Sequence, residues 1–365
     1  MGQNFMKLPL VWGATVLAVG LGIAACSPTT PSSFSSAPQS PGAPSPASTP
    51  TTPQAEKPRV VVTASVLCDL TEQIAQSTVN VDCILEPGTD PHVYEPTPAD
   101  RRAMEDAALI LFSGFDYEPA LIRMVAATNA AIPRVAVFEK AVPKPLMGKG
   151  HDHDHGADKT GSHPHDHGHD QGETEQQVAD PHIWHNPLNG IAMAAVIRES
   201  LTQISPDHAS LYQQNTEAIA TQLQAIDAWI KAQVATVPPS ARKLVTPHDS
   251  FRYFAQAYGF TVKGTIEGLS TEERPSPSHL AELVDLVKNA QVPAIFSEQT
   301  TNPQLIQSLA RAANVRLAEQ PLFVEGPGGP SSAAPTYQDM LITNTCTIVN
   351  ALGGTCDPAT ASVRR

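Results

Sequence analysis

Residues 205–234, SPDHASLYQQNTEAIATQLQAIDAWIKAQV, form the stretch on which the fold of this chain depends. Ser205-Pro206 is typical of a helix start, because serine caps a first turn and proline fits its first position. Apolar side chains then recur at helical spacing and form one stripe: Leu211, Ile219, Leu223, Ile226, Ile230 and Val234. The helix would be about 45 Å long. A helix of that length predicts a rigid connection between two lobes.

Short apolar strands alternate with helices on both sides of this stretch. Before it, strands are predicted at 59–64, 79–85, 109–112 and 135–138; after it, at 243–246, 261–267, 294–296 and 315–318. This alternation is typical of parallel sheets with helical crossovers. We therefore predict an α/β fold in which two lobes of parallel sheet, flanked by helices, are joined by a long rigid backbone helix. Ligands of such folds bind beyond the carboxyl ends of the strands.

The first 58 residues have the composition of an export signal and a tether. An apolar run follows Lys7 and ends in Ala24-Ala25-Cys26, which predicts a signal peptide over 1–25 with Cys26 as the lipidated residue. A plain secretory signal and an uncleaved anchor are the alternatives. Residues 26–58 are rich in Pro, Ser and Thr and predict a semi-extended tether. The other predicted boundaries are an N-terminal lobe at 59–187 with a His-rich loop at 148–178, linking helices at 188–236, and a C-terminal lobe at 237–357.

Charge and cysteine content restrict the partners and the redox environment. The formal net charge of −13 disfavours nucleic acid and anionic membrane surfaces as partners. Four cysteines follow Cys26, and an even number in an exported chain favours disulfides. Cys346 and Cys356 are the favoured pair. Cys68 and Cys83 could also pair, and buried free thiols are the alternative.

Seven histidines lie within the nineteen residues from 151 to 169. This tract is nearly devoid of apolar residues, so it cannot fold around a core of its own. Imidazole is the commonest side-chain ligand for zinc and similar metals, and this spacing lets several rings reach one ion. We predict a low-affinity metal loop with these ligands: His151, His153, His155, His163, His165, His167 and His169.

Three isolated histidines lie at loop starts outside the tract. His92 and His182 each follow an Asp-Pro pair in the first lobe, and His248 follows Thr246-Pro247 in the second. A cleft between the lobes could bring all three together. His185 lies only three residues after His182, but we expect it to point elsewhere.

These segments resemble the metal-specific solute-binding proteins of bacterial zinc and manganese ABC importers, and most of all their zinc-binding branch. The matching elements follow the family's order: GTDPHVYEPT at 88–97, DPHIW at 180–184, HDSFRYF at 248–254, GLSTEERPSP at 268–277 and FSE at 296–298. An acidic His-rich insertion between the first two is also typical of zinc-binding members. The resemblance implies a periplasmic or otherwise extracytoplasmic location at the cell membrane, with an ABC permease and its ATPase as partners.

Carried over residue by residue, the resemblance implies that His92, His182 and His248 are metal ligands. Manganese members have a carboxylate where His248 stands, so zinc is the expected metal. The family's usual fourth ligand is an Asp near the final strand; the aligned position here is Gln320, so Glu298 or water would complete the shell. Zn²⁺ accepts imidazole nitrogens in tetrahedral geometry, whereas Mn²⁺ favours more oxygen ligands. Because binding requires neutral imidazole, affinity should fall as the pH drops through roughly 6.5.

A three-His site with a bound water also describes hydrolytic zinc enzymes. The chain has no His-Glu-x-x-His motif and no recognisable general base, so we predict that it is not an enzyme. The prediction is a monomeric, extracytoplasmic receptor that captures Zn²⁺ between its lobes and delivers it to an ABC importer. The alternatives are a manganese receptor of the same fold and an extracytoplasmic metal buffer or adhesin-like protein.

Overall fold

The computed structural model describes residues 56–149, 177–272 and 275–361. The first lobe contains a four-stranded parallel sheet with the order β2-β1-β3-β4. Its strands are β1 (Arg59–Val62), β2 (Asn80–Cys83), β3 (Leu109–Phe112) and β4 (Arg134–Ala136). The helices of this lobe are α1 (Ser65–Ala75), α2 (Pro98–Glu105), α3 (Pro119–Ala126) and α4 (Val137–Ala141).

After the exposed Arg59, the central strand β1 is a run of three valines without alternation, because both faces of its sheet are covered. Val60 and Val62 belong to the main hydrophobic core, whereas Val61 lies in a second cluster with Met104 and Ile110. All three valines are fully buried. The loops that follow these strands therefore start from a well-packed sheet.

The second lobe repeats the parallel arrangement. Strand β7 (Lys243–Thr246) pairs with β8 (Thr261–Thr265), and β9 (Ala294–Ile295) pairs with β10 (Arg316–Leu317). The Phe296 N–H donates to the Val245 carbonyl at 3.1 Å, which places β9 beside β7. The helices of this lobe are α7 (Arg252–Tyr258), α8 (Pro277–Ala290), α9 (Pro303–Ala313) and α10 (Tyr337–Ala351).

Two long helices, α5 (Pro187–Ile204) and α6 (Ala209–Ala235), connect the lobes. The 27 residues of α6 correspond to about 40 Å. Most of its predicted apolar stripe lies in the main core, which also contains Val60 of the first sheet and Leu244 of the second. The predicted start of α6 was wrong. Pro206–His208 forms a separate 3-10 turn without a side-chain cap from Ser205, so the α-helix begins only at Ala209.

Two local differences from the predicted elements lie near the His-rich tract. The predicted strand at 135–138 ends at Ala136, because Val137 already begins α4. The predicted loop between Pro143 and Ala179 contains an antiparallel hairpin of β5 (Met147–Lys149) and β6 (Gln177–Ala179). Three-residue strands are too short to show an alternating pattern, which is why the sequence did not reveal them.

This hairpin packs against the second lobe beside α7. The Leu146 N–H donates to the Tyr253 hydroxyl at 2.9 Å. A Cβ atom at Gly148 would lie 2.6 Å from Arg252 Nη1 and would also clash with Leu269, so the close approach requires glycine. The seven histidines of the tract lie between the two strands but outside the described residues, as do Cys26, the signal peptide and most of the tether. The domain boundaries therefore stay predictions.

Both candidate disulfides are formed. Cys68–Cys83 joins α1 to β2, and Cys346–Cys356 joins α10 to the segment that follows it. Within the described ranges, none of the helices has the combination of length and apolar character that a membrane span needs.

Candidate metal centre

Four side chains converge in the interior between the carboxyl ends of the two sheets. His92 follows β2, His182 follows β6, His248 follows β7, and Glu325 lies in the loop after β10. His182 and His248 are fully buried, and His92 and Glu325 are only 4% and 5% exposed. Each residue offers one ligand atom, and these atoms all lie within 4.8 Å of one another.

The distances between these atoms suit a small tetrahedral ion. His248 Nε2 lies 3.2 Å from His182 Nε2 and 3.2 Å from Glu325 Oε1. His92 Nε2 lies 4.0 Å from the same carboxylate oxygen. Ligands bound tetrahedrally to zinc at its usual bond lengths are about 3.3 Å apart. Among the described residues, His92 Nε2 has no hydrogen-bond partner. The group of atoms therefore fits a divalent ion with small inward shifts.

Carboxylates hold the backbone of His92 and His182 and the rings of His182 and His248. Asp90 and Asp180 each use Oδ1 to accept the N–H of the histidine two residues later, at 3.0 Å. This local turn explains the repeated Asp-Pro-His motif. Asp180 Oδ1 also lies 3.0 Å from His182 Nδ1, and Glu298 Oε2 lies 2.7 Å from His248 Nδ1. Hydrogen bonds at Nδ1 keep a proton there and leave the Nε2 lone pair for a metal.

Glu325 is held by aromatic residues of the first lobe. The Tyr117 hydroxyl donates to Oε2 at 2.8 Å, so Oε1 is the atom that faces the histidines. The Trp184 indole N–H donates to the Val324 carbonyl at 2.9 Å. Trp184 is fully buried and also belongs to the turn that follows His182. One aromatic residue thus links the positions of two candidate ligands.

The electrostatics of the metal-free centre are uneven. Burial lowers the pKa of His92 and of His182 to about 3, so both imidazoles are neutral at physiological pH. Burial also acts to lower the pKa of His248, but Glu298 and Glu325 outweigh it and raise that pKa well above its ordinary value. Burial would raise the pKa of Glu325, yet its hydrogen bond and charge interaction with His248 hold it below the usual range. The metal-free centre therefore pairs a His248 imidazolium with a Glu325 carboxylate.

The structure brings the three predicted histidines together but changes the fourth position. Glu298 bonds to the Nδ1 side of His248 and lies behind the ring, so it is not the carboxylate of the four-residue group. Gln320 is exposed. Glu325, which the sequence analysis missed, contributes the carboxylate instead. Its only sequence signal is its position directly after the apolar run Leu322–Val324, at the start of a Gly/Pro-rich loop.

His185 lies apart from this group, as expected. Its ring stacks on that of Phe251 with centroids 4.3 Å apart and an interplanar angle of 27°. Burial lowers the pKa of His185 to about 3, so it is a neutral ring within the core. The 3-10 turn Ile183–His185 directs the ring of His185 away from that of His182, although the two residues are only three positions apart.

Comparison with known proteins identifies the family of this chain. A family model described as ZnuA, the periplasmic component A of the zinc-uptake complex, matches residues 60–351. The chain belongs to this family. It is therefore a metal-binding, substrate-binding protein of an ABC importer that acts outside the cytoplasm, and it is not an enzyme. A membrane permease and an ATPase are the partners that this role implies.

Relatives of the receptor are named for different metals. This chain is 31% identical over 294 residues to the manganese-binding lipoprotein MntA of Halalkalibacterium halodurans, and the match covers 80% of this chain and 88% of that protein. It is 29% identical over 301 residues to the zinc-binding protein TroA of Treponema pallidum, covering 81% and 89% of the two chains. It is 26% identical over 299 residues to the iron-binding protein YfeA of Yersinia pestis, covering 82% and 88%.

A solved structure of the Treponema pallidum zinc-binding protein superimposes with a TM-score of 0.70. The superposition covers 81% of this chain and 99% of that chain, at 29% sequence identity. The α/β architecture, with parallel sheets flanked by helices, is thus shared. The range of metals among the relatives leaves the cargo to be argued from the ligands of this receptor.

Proposed function

We propose that the cargo of this receptor is Zn²⁺, bound between the lobes by His92, His182, His248 and Glu325. The observation that carries the proposal is the convergence of three imidazole nitrogens and one carboxylate oxygen in a buried group. The receptor would then deliver the ion to the permease of its importer.

The ligand types favour zinc over manganese. Zn²⁺ accepts four ligands in tetrahedral geometry and binds imidazole well, whereas Mn²⁺ binds nitrogen ligands more weakly and prefers oxygen. His248 supplies the third imidazole, and Glu298 bonds to its Nδ1 on the far side of the ring. Cu²⁺, Ni²⁺ and Co²⁺ also bind such ligands, so selection in the cell would depend on geometry and metal supply.

We further propose that the His-rich tract is an accessory, low-affinity metal collector. Strand β5 precedes the tract in sequence and β6 follows it. The hairpin that they form packs beside Arg252 and Leu269. Both contacts belong to the second lobe, close to the His248 loop. The two strands that flank the tract are therefore anchored beside the second lobe, and the four-residue ligand group is formed by residues outside the tract.

The N-terminal segment fits a lipid anchor. Cys26 follows two small residues after an apolar run, and the relative of Halalkalibacterium halodurans is named a lipoprotein. We propose that Cys26 is lipidated and that residues 27–58 extend the receptor from the membrane surface. Replacing Cys26 with serine should release the receptor from the membrane fraction.

Competitive metal titration of purified receptor tests the cargo and its ligands. We expect one tight zinc site that each of the variants His92→Ala, His182→Ala, His248→Ala and Glu325→Ala weakens strongly. The exposed His208 is the matched control, and its replacement by alanine should leave the affinity unchanged. Tight zinc binding that survives the four substitutions would contradict the proposed centre.

A shortened receptor tests the division between the two kinds of site. Deleting residues 151–175 leaves Gly150-Gln176 as a two-residue link between the hairpin strands, and glycine suits the first position of such a turn. The weak sites should disappear while the tight site remains. Loss of the tight site would refute the accessory role of the tract.

A manganese receptor is the second candidate, because the relative with 31% identity is named for manganese and Glu325 supplies an oxygen ligand. Displacement of bound zinc by stoichiometric manganese in the same titration would favour it. Growth of a deletion strain under zinc limitation separates either importer from a metal buffer, since loss of a buffer alone leaves uptake intact.

A further inference from the structure

A segment of the second lobe, Ile266–Thr271, runs from the His248 loop to the His92 loop; we call it the strap. Its first part is attached on both sides of His248. The N–H groups of Ile266 and Glu267 donate to the Pro247 carbonyl at 2.9 and 2.8 Å, and the Asp249 N–H donates to the Gly268 carbonyl at 2.8 Å. The strap therefore cannot shift at this end without disturbing the neighbours of His248.

At the far end of the strap, Thr271 bonds to a carboxylate of the first lobe. The Thr271 hydroxyl donates to Asp90 Oδ2 at 2.7 Å, across 181 residues of sequence. The other oxygen of Asp90 accepts the His92 N–H at 3.0 Å. Asp90 thus joins the His92 loop directly to the strap, and the bond has a charged acceptor that is partly buried.

Between its two ends the strap packs against the hairpin of β5 and β6. Leu269 is 7% exposed and lies beside Gly148 of the hairpin. The four candidate ligands are at most 5% exposed, so an ion bound among them has no open route to solvent. Exchange of the ion therefore requires some part of the structure around the ligands to move.

The far end has space into which it can move. A cavity of about 810 Å³ is lined by Thr271, Val93, Pro247 and Thr301, among other residues of both lobes. Thr271 is half-buried, and Val93, directly after His92, is 49% exposed. The Thr271–Asp90 hydrogen bond therefore lies at the boundary between the buried centre and an open cavity.

We propose that Thr271 is a positioning residue that limits metal exchange. Its hydrogen bond to Asp90 ties the strap to the His92 loop and keeps that loop in place. Breaking the bond removes this link between the strap and the His92 loop, while the attachments of the strap around His248 remain. The inference rests on the proposed metal centre but concerns the rate of release rather than the identity of the ligands.

Release kinetics of the full-length receptor test this role. Zinc-loaded protein is mixed with an excess of a chromogenic zinc chelator in a stopped-flow instrument. A hydrogen bond to a charged group contributes enough to change a rate by about tenfold, so Thr271→Val should release zinc about tenfold faster. Thr271→Ser keeps the hydroxyl and should restore the wild-type rate.

The control for the substitution itself is Thr301→Val. Thr301 lines the same cavity, and its hydroxyl has no hydrogen-bond partner within the described part of the chain. We expect its release rate to match the wild type. Thr271→Ala, which removes the hydroxyl without adding a branched apolar group, provides a second variant should the valine variant fold poorly.

Two results would overturn the proposal. One is acceleration by about threefold or less in both Thr271→Val and Thr271→Ala, which is too little for loss of a charge-assisted bond. The other is a Thr271→Ser variant as fast as the valine variant. Failure of the proposed centre looks different, because the wild-type receptor would then lack a tight zinc site in equilibrium titration before any release is measured.

Discussion

Binding of Zn²⁺ at about pH 8 should release close to one proton, and His248 is its source. Its Nε2 lies 3.2 Å from Glu325 Oε1, and its Nδ1 lies 2.7 Å from Glu298 Oε2. The two carboxylates raise the pKa of His248 well above its ordinary value in spite of burial. A metal ion that takes the Nε2 lone pair must displace the proton there, while the Nδ1 proton stays with Glu298.

The expected number of protons follows from the other groups. Burial lowers the pKa of His92 and His182 to about 3, so neither ring has a proton to lose at pH 8. Burial raises the pKa of Asp180 to about 7 and that of Asp249 to about 6, and both are largely ionised at that pH. Three imidazoles with ordinary pKa values would together release only about 0.1 proton there.

The sign of the pH dependence follows from the same competition. His248 holds its proton in the metal-free receptor up to its raised pKa, so protons oppose metal binding below that value. Apparent zinc affinity should therefore rise with pH, by up to about tenfold per pH unit, over the range above pH 6.5 in which His248 still holds its proton. The expectation from ordinary histidines, a fall only below roughly pH 6.5, is thereby moved to higher pH.

Calorimetric titration in two buffers with different ionisation enthalpies measures the released proton directly. Glu298→Gln removes one of the charges that raise the pKa of His248, so this variant should release clearly less than one proton. His208→Ala should behave as the wild type. A wild-type release near 0.1 proton would show that His248 is neutral before the metal arrives, and the reasoning would fail.

Three further predictions concern the support of the centre and the core. Tyr117→Phe removes the 2.8 Å hydrogen bond to Glu325 Oε2 and should weaken zinc binding about tenfold in competitive titration; unchanged affinity would deny the tyrosine a role. Trp184→Ala should lower the free energy of unfolding in denaturant by about 3–5 kcal/mol, because the indole is fully buried; a loss under about 1 kcal/mol would contradict this. Burial raises the pKa of Glu118 from 4.5 to about 7, so its ionisation destabilises the fold above pH 7 and the cost disappears as the pH falls towards 4.5. Glu118→Gln should therefore be more stable than the wild type above pH 7, by up to about 3 kcal/mol, with a difference that shrinks towards pH 5; a difference independent of pH would count against it.

Much of the fold could be predicted because its signals are local. The valines of β1 and the apolar stripe of α6 are patterns that lie within one segment, and the structure buries both. The predicted start of α6 was wrong because Ser205-Pro206 suits a 3-10 turn as well as an α-helix. The hairpin of β5 and β6 was not predicted because its two strands are separated by the His-rich tract and each is only three residues long.

By itself, the sequence predicted the α/β architecture, favoured the Cys346–Cys356 pair, allowed the Cys68–Cys83 pair and singled out the three histidines. These rest on periodicity, cysteine number and short motifs such as Asp-Pro-His, in which the carboxylate that accepts the histidine N–H is only two residues away. The tertiary structure alone decided that Glu325 joins the histidines and that Glu298 lies behind His248. The physical reason is that a ligand group is defined by distances of a few ångströms between loops from different strands. Only the packing of both sheets against the helices between them sets which carboxylate faces the centre and which faces the back of a ring.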